Sequence, residues 1–142
     1  MSDFETVKKN LIETNEQNYG QEIKEEYGEE VYEATNDILN GLTEEKWVYS
    51  EQLRAKVESM LKELAPRGDF ASEQAQEMAR LHGEWARTFW AEGVYSPEAH
   101  LALVQMYTED PRFSEYYDTI VANGAAFLRE AVEYAVEHHN LA

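Results

Sequence analysis

The sequence predicts an all-α fold, and three observations carry that prediction. Three prolines and seven glycines in 142 residues leave long uninterrupted stretches. Alternation of apolar and polar residues, the mark of a half-buried strand, is nearly absent. Apolar residues instead recur every three or four positions, best in the run Ala75, Met78, Ala79, His82, Trp85, Ala86, Phe89 and Trp90. At this length the chain is one ordinary domain, large enough to bury a core.

Taken in order, the elements justify themselves locally. Ser2 and Glu5 form a capping box, so a helix is expected from about Asp3. Phe4, Val7 and Leu11 share one of its faces, after which the polar run Glu13–Asn18 thins the pattern. Tyr19, Ile23, Tyr27 and Val31 recur at four-residue spacing, with Gly20 and Gly28 as interruptions. Residues 1–30 are therefore expected to be an N-terminal arm, helical in part and mobile in part, set apart from a core over 31–142. Val31, Ala34, Ile38 and Leu42 predict a short helix stopping at Asn40-Gly41.

Thr43 before Glu44-Glu45 is an N-cap with an acidic first turn, and Leu53, Val57, Met60, Leu61 and Leu64 form the stripe behind it. Pro66-Arg67-Gly68-Asp69 reads as a loop, and the Ala75–Trp90 helix should stop near Gly93. Ser96-Pro97 and Asp110-Pro111 repeat one device, a capping side chain followed by proline at the first helical position. The first opens a helix with Ala99, Leu103, Met106 and Tyr107 inward. The second opens a short helix through Phe113, Tyr116 and Tyr117. After Asn123-Gly124, Phe127, Leu128, Ala131, Tyr134 and Ala135 line a last helix to about His138. Six or seven helices with short connections predict a bundle of irregular or globin-like type.

The net charge of −17 is spread along the chain: residues 1–66 hold 16 acidic and 7 basic side chains, residues 67–142 hold 13 and 5. Such a surface opposes direct contact with nucleic acid or an anionic membrane, both of which need cations. With no cysteine there is no disulfide, thiolate metal site or cysteine nucleophile. No apolar run is long enough to span a bilayer and the N-terminus carries no signal-peptide pattern, so a cytoplasmic location is expected.

Catalytic patterns are missing. No phosphate-binding glycine loop, nucleophile elbow, H-E-x-x-H or di-iron Glu-x-x-His occurs. No metal or cofactor is expected, and the enzyme reading has no visible nucleophile–base pair. The acidic pairs Glu25/Glu26, Glu29/Glu30 and Glu44/Glu45 are what chance gives in so acidic a chain. His138 and His139 belong to a frayed end. His82 lies on an apolar face, where a histidine is most often a satisfied core residue, next a donor to a ligand, and least often a haem or metal ligand.

The aromatics are the strongest functional signal. Trp85, Phe89, Trp90, Tyr95, Tyr107, Phe113, Tyr116 and Tyr117 crowd into about a quarter of the chain. Some must be core. Four tyrosine hydroxyls in that group nevertheless need polar partners, which an apolar cleft with a few polar tips would supply. Met78 and Met106 would lend its wall plasticity. The candidate ligand-binding residues are His82, Trp85, Phe89, Trp90, Met106, Tyr107, Phe113, Tyr116 and Tyr117.

At these residues the chain resembles the TipAS-type antibiotic-recognition domain of MerR-family drug-responsive regulators. The segments that carry the resemblance are Tyr19-Gly20-Gln21-Glu22-Ile23, Leu81-His82-Gly83-Glu84-Trp85, Ser96-Pro97-Glu98-Ala99-His100-Leu101, Met106 through Phe113 with Tyr116-Tyr117-Asp118, and Gly124 through Ala131. It implies a haem-free globin-like fold, a cleft for bulky aromatic or thiopeptide-like antibiotics, and an N-terminal part that orders over the ligand. The winged DNA-binding domain and long dimerisation helix of those regulators are not in this sequence. The expectation is an effector-sensing module or a stand-alone drug-sequestering resistance protein, monomeric or homodimeric, with DNA contact left to another domain. Lacking cysteine, it would capture dehydroalanine-bearing drugs without a covalent thiol bond. The alternative is a protein-interaction or dimerisation module whose Phe4/Val7/Leu11 face meets a partner helix.

Overall fold

A computed structural model describes residues 3–90 and 93–141. Among them there is no strand, and the order is α1 (Asp3–Asn15), a π-helical turn (Glu16–Gly20), α2 (Gln21–Tyr27), α3 (Glu29–Asn40), α4 (Glu44–Leu64), α5 (Glu73–Phe89), α6 (Pro97–Glu109), α7 (Pro111–Ile120) and α8 (Gly124–Glu137). The π turn joins α1 to α2 without a break, so these are seven helical rods. The Ser2 cap and the side chains of Tyr27 and Val31 lie outside the described parts.

The expected caps at Thr43, Ser96 and Asp110 form, their side chains accepting from the backbone N–H of Lys46, Ala99 and Arg112. Ser72, which the sequence reading did not single out, caps α5 through Ala75 N–H in the same way. All four satisfy donors the first helical turn leaves open. Gly28 ends α2 and turns the chain into α3 at φ 88°. Gly20 does not interrupt its helix as expected: it stays right-handed and buried inside the π turn. The segment read as a loop at Pro66 is instead a 3-10 turn over Ala65–Arg67, closed by Gly68 at φ 70°. Helix α5 stops at Phe89, short of Gly93, because Trp90 is already extended.

The core lies where α4, α5, α6 and α8 pack, α4 mainly on α5 and α6 on α8, with α7 against α6 and α8. Leu61, Met78, Val104, Leu128 and Val132 are fully buried in it, each a contribution of roughly 1.5–3 kcal/mol. On α6 Tyr107 is buried as expected, but His100 and Val104 take the inward positions expected for Ala99, Leu103 and Met106. The helix is turned because His100 finds hydrogen-bond partners in the interior and can be buried without penalty. Leu103 and Met106 sit half-buried at the edge of the same core. Gln76, also buried, donates to the carbonyls of Phe70 and Ala131 and accepts from Asn140, tying the C-terminal end to α5.

The arm is differently made. Helix α3 packs on α1 and α2 more than on α5, so residues 3–40 behave as one packing unit. Phe4, Val7 and Leu11 are only half-buried. Tyr32 donates to the Glu16 carboxylate across this unit, and Lys24 lies over the Tyr32 ring. No described helix is long and apolar enough to cross a membrane.

Candidate aromatic ligand cavity

Four core helices and the arm enclose a cavity of about 290 Å³. Helix α4 supplies Arg54, Val57 and Glu58, α5 supplies His82 and Trp85, and α6 supplies Tyr107. Helix α7 contributes Arg112, Phe113, Tyr116 and Tyr117, and the arm closes one side with Tyr19. The α-helical repeat explains the delivery. Val57 and Glu58 neighbour Arg54 one turn on, His82 and Trp85 are three apart, and Phe113 reaches Tyr116 and Tyr117 by the same steps.

The rings form a connected wall. Tyr107 lies 5.3 Å from Phe113 and 4.8 Å from Tyr117, and Tyr116 meets Tyr117 edge-on at 5.0 Å. His82 is 5.5 Å from Trp85. Tyr19 stacks on Phe113 at 6.2 Å, and the Arg112 guanidinium covers the Tyr19 ring at 4.9 Å. Spacings of this kind are favourable for offset or edge-on aromatic pairs.

The rim is ionic. Tyr116 donates to the Glu58 carboxylate at 2.9 Å and accepts from Arg54 at 3.2 Å. Arg54 also holds Glu58 at 3.0 Å and Glu51 at 2.6 Å. Hydrogen bonding to Glu51 strengthens the charge on Arg54 against the cost of partial burial. Burial pushes the Tyr117 hydroxyl up to about 12 and Tyr107 further, so both stay protonated phenols.

Behind the wall runs a buried polar chain. His82 Nδ1 and His100 Nε2 are 2.7 Å apart, Tyr95 Oη is 3.0 Å from His100 Nδ1, and Tyr107 Oη is 3.4 Å from His82 Nε2. Desolvation lowers His100 to about 4 and His82 well below the ordinary range, and their mutual repulsion adds to the effect on His82. Both rings are neutral at pH 7. Each then has one N–H and one bare nitrogen, and those are engaged within the chain.

A second, wider cleft of about 980 Å³ opens on the other side of α5. Ile38 and Leu42 line it from the α3–α4 junction, Glu84 and Arg87 from α5, and Trp90 and Tyr95 from the following turn. Tyr49 donates to Glu84 at 2.8 Å, and Arg87 covers the Tyr95 ring at 4.2 Å.

The structure thus brings His82, Trp85, Tyr107, Phe113, Tyr116 and Tyr117 around one cavity. It places the other three candidates elsewhere. Trp90 lines the wide cleft, Phe89 rests on Trp85 at 5.5 Å, and Met106 packs on the core. Sequence reasoning missed Arg54, Glu58, Arg112 and Tyr19 as cavity residues, and His100 as the partner of His82. Arg54, with acids three before and four after it, reads in the sequence as an exposed salt-bridged helix position, so no local signal marked it as a cavity residue. Among the described residues no group of three or more histidine or acidic side chains is placed to hold a metal ion.

No curated protein and no solved structure matches the chain. The sequence pattern of the TipAS antibiotic-recognition domain matches residues 19–135, which spans the cavity residues from Tyr19 to Tyr117. The chain belongs to the TipAS antibiotic-recognition domain family.

Proposed function

We propose that this chain captures a bulky, partly aromatic antibiotic of thiopeptide type, non-covalently, in the cavity between α4, α5, α6, α7 and the arm. The observation that carries the reading is the continuous aromatic wall from Trp85 to Tyr116 behind an Arg54–Glu58 rim. Planar rings stack on such a wall, and the rim and the phenols supply the few polar contacts that orient a ligand.

The cavity volume bears on how capture proceeds. At about 290 Å³ it sits at the small end of sites for drug-sized molecules, roughly 300–1,000 Å³. A bulky ligand requires Tyr19 and the arm to move. The arm meets the site through the Tyr19–Phe113 stack and the Arg112–Glu22 pair at 3.4 Å, contacts that can be exchanged for contacts to the drug. In our reading the arm reorders over the ligand. That change is the output available to a MerR-type DNA-binding domain; in a chain acting alone, the same capture withdraws the drug from solution.

Tryptophan fluorescence titration with a thiopeptide is the direct test, because Trp85 lines the cavity. Saturable quenching is expected, and Trp85→Ala and Tyr116→Ala should each weaken binding about tenfold, the usual loss for a truncated aromatic anchor. Wild-type affinity in both variants would place the ligand elsewhere.

A further inference from the structure

The four-residue chain behind the cavity has a direction that its distances give away. The rings are neutral, so the 2.7 Å contact between His82 and His100 contains one proton, and its owner fixes every other proton in the row. If His100 Nε2 owns it, His100 Nδ1 is bare and accepts from Tyr95, while His82 Nδ1 is bare and His82 Nε2–H points at the Tyr107 oxygen. If His82 Nδ1 owns it, the whole row reverses and Tyr107 donates into His82.

The two ends are not alike. A phenol hydroxyl is a good donor to a bare imidazole nitrogen, and that bond is short. A ring N–H facing a phenol oxygen is the weaker pairing and is longer. The Tyr95 end measures 3.0 Å and the Tyr107 end 3.4 Å, so the tight end is where the phenol donates inward. The Tyr107 hydroxyl keeps its own hydrogen for the cavity side only when His82 donates to its oxygen, and its ring lies beside Tyr117 at 4.8 Å on the wall of that cavity.

The backbone is shaped to allow the contact at the far end. A Cβ on Gly83 would stand 2.7 Å from Tyr95 Oη and 3.3 Å from the His100 ring. Only glycine lets the Tyr95 hydroxyl reach the histidine over α5.

We propose that Tyr95, His100, His82 and Tyr107 form one directed hydrogen-bond relay, from the wide cleft to the aromatic cavity. The relay leaves the Tyr107 hydroxyl its own hydrogen on the cavity side and so selects ligands that present an acceptor, a carbonyl or a ring nitrogen. Tyr95 and His100 are positioning residues in this scheme, since they act on the ligand through His82 and Tyr107. The ligand preference rests on the cavity being the drug site; the relay itself does not.

The test reads the two apart. Long-range ¹H–¹⁵N correlation spectra of the free protein report which ring nitrogen carries hydrogen. Both His82 and His100 are expected as Nε2–H tautomers, and a His82 Nδ1–H tautomer in the wild-type would overturn the relay's direction. Tyr95→Phe should populate that reversed His82 tautomer, whereas Tyr107→Phe should leave both rings as they were. Equal behaviour of the two variants would overturn the claim that Tyr95 sets the direction.

Binding is then compared for quinoline, which accepts through its ring nitrogen, and indole, which is similar in shape and donates. Quinoline should bind about three- to tenfold more tightly, the worth of one net hydrogen bond, and Tyr95→Phe should narrow the gap. Preference for indole, or binding of neither, would overturn the ligand preference while the tautomers still decide the relay.

Discussion

Helices α1 and α8 are nearly equal in length, 13 and 14 residues, yet α1 has no buried residue and α8 has seven. Helix α8 buries Ala125, Leu128, Ala131, Val132 and Ala135, its alanines letting neighbouring helices approach closely. In α1 the apolar residues Phe4, Val7, Leu11 and Ile12 are diluted among acids, lysines and threonines, and they stay half-buried. The bundle is held by burial, while the arm meets the cavity through a ring stack and an ion pair. The difference teaches how one small chain can combine a tightly packed bundle with a wall that is only lightly buried. Local opening of the arm exposes little apolar surface, so it costs far less than global unfolding.

The largest test of that contrast is truncation on each side of it. Leu128→Ala should cost about 2–5 kcal/mol in urea unfolding, while Leu11→Ala should cost under about 1 kcal/mol. Comparable losses would mean that the arm is an integral part of the core.

A second test is acid, which should strike the bundle alone. His100 falls from 6.5 unfolded to about 4 folded, and burial lowers His82 in the same direction. The unfolded chain therefore binds more protons in this window. The stability these rings contribute is complete above about pH 6.5 and is lost as pH falls toward 4, at up to about 1.4 kcal/mol per pH unit for each ring. Urea midpoints for the wild-type and a His82→Gln/His100→Gln variant should converge as pH falls through this range. A constant gap would remove the pair as the source.

The smallest effect is the most specific. Arg112 covers Tyr19 and pairs with Glu22. Arg112→Ala should leave the unfolding midpoint near that of the wild-type and speed amide hydrogen exchange over residues 3–40 alone. Unchanged exchange there would show that other contacts hold the arm.

How much of this was legible follows from range of interaction. The caps at Thr43, Ser96 and Asp110 and the stripe along α5 are local: each depends on residues three or four apart, so the sequence displays them. The cavity is partly legible for the same reason, since His82 with Trp85 and Phe113 with Tyr116 and Tyr117 sit on helical repeats. What the repeats cannot give is which side of α5 a ring faces once the chain leaves the helix. Trp90 is extended, and its ring turns to the other cleft. Arg54 escaped because its local pairs with Glu51 and Glu58 look like an ordinary exposed network, while its cavity contact, Tyr116, lies 62 residues on; the His82 partner of His100 lies 18 residues back. A buried histidine is made acceptable by its partner, and no window on its own helix contains that partner.

The π turn at Glu16–Gly20 bears on the arm in another way. A π turn holds one residue more than its α-helical neighbours need, and each residue advances an α-helix by about 100°. Here the Glu16 carboxylate lies over Gly20, in the space a Cβ there would enter at 2.7 Å, and it is also the acceptor for Tyr32. Release of Tyr32 would free that carboxylate to leave the turn. Reversion of the turn to α geometry would swing the Phe4/Val7/Leu11 edge through about 100° around its own axis. Such a reversion would turn a rearrangement beside Tyr19 into rotation of everything on its N-terminal side.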